Sequence, residues 1–90
     1  MSQNIQLKRK LYYLFDRLIP HLYRKHDAPP KMVGAVLNKI EKENVPLSRA
    51  LLINIVEKEL YNSRRDGHGH ANREFLSYLN GLINDIFPDL

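Results

Sequence analysis

Ninety residues, 43% of them hydrophobic and 27% charged, are expected to form one domain. A core of that size supplies roughly 5 kcal/mol of net stability. The chain has no cysteine, which excludes a disulfide framework and thiolate metal sites. The formal charge of +4 is uneven: residues 1–31 carry seven Lys or Arg against Asp16 and Asp27, a net of +5, and residues 32–90 net −1. Such a basic segment is ordinarily a solvated face. It also suits anionic lipid or an acidic protein surface.

Helix 1 is predicted over about residues 4–26. Leu7, Leu11, Leu14, Leu18 and Leu22 recur at spacings of three and four, the stripe of a helix that packs on other helices. Lys8, Arg9, Lys10, Arg17, Arg24 and Lys25 fall mostly off that stripe and are the candidates for a membrane-surface or acidic-partner contact. The start of the chain is polar, and Asp16 and Arg17 break the first apolar run, so neither a signal peptide nor a spanning helix is expected. The expectation is a soluble, cytoplasmic protein.

Asp27-Ala28-Pro29-Pro30 ends helix 1, because a residue before proline is pushed away from helical geometry. Helix 2 follows over about 30–44, with Val33, Val36, Leu37 and Ile40 inward and Lys39, Glu41, Lys42 and Glu43 outward. Val45-Pro46-Leu47-Ser48 is the next break, with Ser48 as N-cap and Leu47 and Leu52 as a hydrophobic staple. Helix 3, about 48–62, is the most apolar segment and is expected at the bundle centre. A polar turn with Gly67 and Gly69 leads to helix 4 over about 71–87. Its inward residues are Phe75, Leu76, Leu79, Leu82, Ile83 and Ile86, and Gly81 is read as permitting a close helix crossing. The fold class expected is all-α: a single-domain, antiparallel up-down four-helix bundle.

Little of this pattern points to chemistry. His68 and His70 alone leave a metal site incomplete, so none is expected, and no cofactor motif is present. His21 and His26 lie in a basic helix with few carboxylates to tune them. Glu57 and Glu59, two apart on a helix, face different ways, so no catalytic carboxylate pair forms. An enzyme is not expected. The alternative class is a small basic DNA-binding or phage regulatory helical protein, with helices 2 and 3 as a helix-turn-helix. Helix 3 offers Asn54, Glu57, Lys58 and Glu59 where a recognition helix needs a basic outer face, so nucleic acid is not the expected partner.

Leu14-Phe15-Asp16-Arg17-Leu18, then Arg24-Lys25-His26-Asp27, then Val45-Pro46-Leu47 before an apolar helix form a recognisable series. With Arg64-Arg65-Asp66-Gly67 and Phe75-Leu76 with Leu79, the chain resembles, over nearly its whole length, the immunity proteins that protect bacteria from pediocin-like (class IIa) bacteriocins. The resemblance implies a basic, cytosolic, non-enzymatic four-helix bundle. It implies recognition of the bacteriocin on its receptor, the membrane part of the mannose phosphotransferase system, and closure of the resulting pore. It also implies that the third and fourth helices and the C-terminal end discriminate among toxins. One departure is that only Pro88, Asp89 and Leu90 follow helix 4, where relatives often carry a tail. If helix 3 is consumed by the core, the partner-binding candidates are Arg64, Arg65, His68 and His70 as donors, with Phe87 and Leu90 as an apolar contact.

Overall fold

The computed structural model describes residues 2–21, 28–63 and 73–90, with side chains over 5–20, 28–60 and 73–90. It contains four helices: α1 (Ser2–Asp16), α2 (Ala28–Glu41), α3 (Arg49–Ser63) and α4 (Arg73–Ile86). No strand occurs among the described residues.

Helix 1 ends earlier than its leucine stripe suggests, four residues before Pro20. Proline has no N–H to offer the carbonyl of Asp16, and its ring would crowd that carbonyl. The chain turns instead. The Leu18 N–H donates to the Phe15 carbonyl at 3.0 Å, and a 3-10 turn covers Ile19–His21. The stretch expected to continue as helix to residue 26 lies, from residue 22, outside the described residues.

The other ends have local causes. Both Pro29 and Pro30 lie in the first turn of α2, where a missing N–H removes no helical bond. Beyond α2, Asn44 adopts φ 56°, the left-handed conformation that Asn tolerates better than most residues, and the Val45 N–H donates to the Lys39 carbonyl at 2.9 Å. Ser48 caps α3, its Oγ accepting the Leu51 N–H at 3.1 Å. After α4 the Phe87 N–H still bonds the Ile83 carbonyl at 2.7 Å, and then Pro88 cannot continue the ladder.

The helices form a four-helix bundle in which α1 packs against α2 and α4, and α2 against α3. Side-chain contacts give the directions. Lys10 lies over Phe87 and the Tyr78 hydroxyl reaches the Arg17 carbonyl, so α1 and α4 run oppositely. Lys31, early in α2, meets Glu59, late in α3. Arg49, opening α3, bonds Asn84 and Leu90 at and beyond the end of α4.

Leu11, Leu14, Phe15 and Leu18 of α1 and the turn after it meet Met32, Val33 and Val36 of α2, Leu52 and Val56 of α3, and Leu79 and Ile83 of α4 in one fully buried cluster. Truncating one such side chain to Ala costs about 2–5 kcal/mol. Three expectations are corrected. α3 is not enclosed by its neighbours: Ala50, Asn54, Glu57 and Lys58, one helical face, are exposed. Glu59 is not on that face but buried, 3.4 Å from Lys31 Nζ. Gly81 marks no close crossing, for it is exposed and a Cβ there would meet nothing within 4 Å.

Candidate interaction surface

α1 has two sides of different character. The side carrying Leu11, Leu14, Phe15 and Leu18 is buried, which obliges the opposite side to face water. Ile5, Arg9 and Tyr13 of α1 and Arg17 in the turn after it, each four residues from the next, are exposed on that outer side, and Lys8 and Lys10 are exposed on its two opposite flanks. Of the large hydrophobic side chains, those exposed among the described residues are Ile5 (56%), Tyr13 (52%) and Tyr78 (43%). Tyr78 comes from α4 and joins the same surface, because its hydroxyl donates to the Arg17 carbonyl at 3.4 Å.

Arg17 organises the centre. Its guanidinium lies 4.5 Å from the Tyr13 ring centroid and donates to the Tyr13 hydroxyl, a cation–π contact joined to a hydrogen bond. Beside this pair, between α1 and α4, is a cleft of about 170 Å³ lined by Tyr13, Arg17, Leu82, Asp85 and Ile86. A second groove of about 150 Å³, between α2 and α3, has Met32, Ala35 and Ile55 as its apolar lining, with Lys31, Lys58 and Glu59. The ion pairs among the described residues, Lys31 with Glu59 and Lys39 with Glu43, leave Lys8, Arg9, Lys10 and Arg17 without an acidic partner within salt-bridge distance.

The residues singled out by sequence do not converge. Lys8, Arg9 and Lys10 are exposed on α1, and Arg17 is exposed in the turn after it. Arg24 and Lys25 lie outside the described residues, as do Arg64, Arg65, His68 and His70. Phe87 is buried in the core, with Lys10 Nζ 5.6 Å from its ring centroid, so its ring is not presented to a partner. Leu90 is half-buried against the same core, and its main-chain oxygen accepts from Arg49 at 3.0 Å. The spacing of Leu79, Ile83 and Phe87 at four-residue intervals already places Phe87 inward. Ile5, Tyr13 and Tyr78 were missed. The signal for the first two is the four-residue spacing with Arg9 and Arg17, opposite the leucine stripe.

Among the described residues no three His, Asp or Glu side chains converge as a metal site would require, and no helix is long and apolar enough to cross a membrane. Comparison with protein-family models, curated proteins and solved structures gives no match to this chain.

Proposed function

We propose that the chain is a bacteriocin immunity protein. It protects its cell by binding the complex of a pediocin-like bacteriocin with the mannose phosphotransferase permease, from the cytoplasmic side of the membrane. What carries this reading is the series of fragments in the sequence from Leu14-Phe15-Asp16-Arg17 to Phe75-Leu76, together with a four-helix order among the described residues. The surface also fits a binder. It offers exposed tyrosines beside bases that have no salt-bridge partner among the described residues, and aromatic and arginine side chains are the types that dominate protein interfaces. Toxin discrimination is assigned to residues 62–72 and the exposed side of α4, with Phe87 withdrawn because it belongs to the core.

The DNA-binding alternative draws no support from α3, whose exposed line offers Lys58 as its one base beside Glu57.

The test is expression of the chain in bacteriocin-sensitive cells challenged with a panel of pediocin-like toxins. Protection against one or a few members is expected. Soluble expression with unchanged sensitivity to every member overturns the reading.

A further inference from the structure

We propose that the outer face of α1, with the adjoining edge of α4, is a docking surface for an anionic lipid bilayer, with Ile5, Tyr13 and Tyr78 entering the headgroup layer. Two independent properties coincide there. The exposed large hydrophobics of the described residues all lie on this face. So do Arg9, Lys10 and Arg17, exposed and without a salt-bridge partner among the described residues, while Lys8 is exposed on the flank of α1 away from α4. Bases supply attraction to anionic headgroups, and tyrosine, apolar in body and polar at its tip, sits well at the membrane interface.

The geometry favours a plane over a groove or a strand. Ile5 to Tyr13 spans eight residues, about 12 Å along α1, and Arg17 in the turn after the helix extends the strip. With α4 antiparallel beside it, the two helices present a broad strip that lies flat on a surface. Single-stranded nucleic acid needs open aromatic faces and an unbroken basic track. Here the Arg17 guanidinium already occupies the Tyr13 ring, and Asp16 and Asp85 interrupt the bases. Ile5 adds nothing for a base and much for lipid. The same two acids make the association weak and reversible. The proposal is independent of the immunity reading: binding to vesicles requires no toxin and can hold while protection fails.

The absence of native cysteine makes a site-resolved test direct. Ile5→Cys on this face and Asn54→Cys on the exposed side of α3 are each labelled with a polarity-sensitive fluorophore. The labelled proteins are mixed at low salt with phosphatidylcholine vesicles containing or lacking phosphatidylglycerol. A blue shift at position 5 only, with phosphatidylglycerol only, and reversed by salt is expected. Replacing Arg9 and Lys10 by Gln should lower partitioning about fivefold per charge removed. The double variant Tyr13→Ser/Tyr78→Ser should lower it several-fold while leaving its salt dependence intact. No shift at position 5, an equal shift at position 54, or unchanged partitioning of the tyrosine variant overturns the proposal. So does binding of a single-stranded oligonucleotide or of polyglutamate under conditions where vesicles are not bound.

Discussion

Arg49 sits at the first position of α3, where the positive end of the helix dipole disfavours a cation. Its guanidinium is nonetheless held there, donating to Asn80 Oδ1 at 3.0 Å, to the Asn80 carbonyl at 3.4 Å, to Asn84 Oδ1 and to the Leu90 main-chain oxygen at 3.0 Å. The planar fork suits such a set, and a lysine ammonium does not. Arg49→Ala should therefore lower unfolding free energy by about 1–2 kcal/mol in a denaturant titration, with Arg49→Lys recovering less than half of the loss. A change indistinguishable from that of a surface substitution such as Lys58→Ala would show that the clamp contributes nothing. The exposed Lys39–Glu43 pair, at 3.0 Å, is worth a few tenths of a kcal/mol by comparison. Ser48 was legible as a cap because its partner is three residues away. The partners of Arg49 are 31 to 41 residues away, and no local reading of the chain connects them.

For whole elements, periodicity identified all four helices and most of their buried positions, because burial of an apolar stripe dictates both. It failed where one residue overrides the stripe. Pro20 ends α1 although Leu18 continues the pattern, since backbone chemistry outweighs side-chain spacing. The wide apolar band of α3 suggested a central helix, yet a bundle helix with two neighbours needs a broad buried side and still keeps a wet one. Gly34 and Gly81 are a further case. Both are exposed and helical, and a Cβ on either would meet nothing within 4 Å. Glycine there only raises the entropy lost on folding. Gly34→Ala and Gly81→Ala should each stabilise the protein by about 0.5–1 kcal/mol, seen as a higher thermal midpoint. Destabilisation by either would mean that the glycine serves a backbone geometry or a close contact that the bundle itself does not require.

For the molecule as a whole, the charge asymmetry and the fold combine into one picture. The basic half of the sequence supplies α1, and folding turns Arg9, Lys10 and Arg17 outward beside two exposed tyrosines. The basic character of the surface was legible from composition alone. Its aromatic component was not, because Tyr13 and Tyr78 are 65 positions apart and come to one surface only when α1 and α4 pack antiparallel. Arg64, Arg65, His68 and His70 of the proposed discriminating segment lie outside the described residues. The most direct measurement is therefore of binding. The chain, carrying an affinity tag, is expressed in bacteriocin-sensitive cells and purified in mild detergent with and without added toxin. Recovery of the mannose permease only when a toxin to which the chain confers protection has been added is the predicted result. Protection without such recovery, or equal recovery with and without toxin, would contradict recognition of the toxin-engaged receptor.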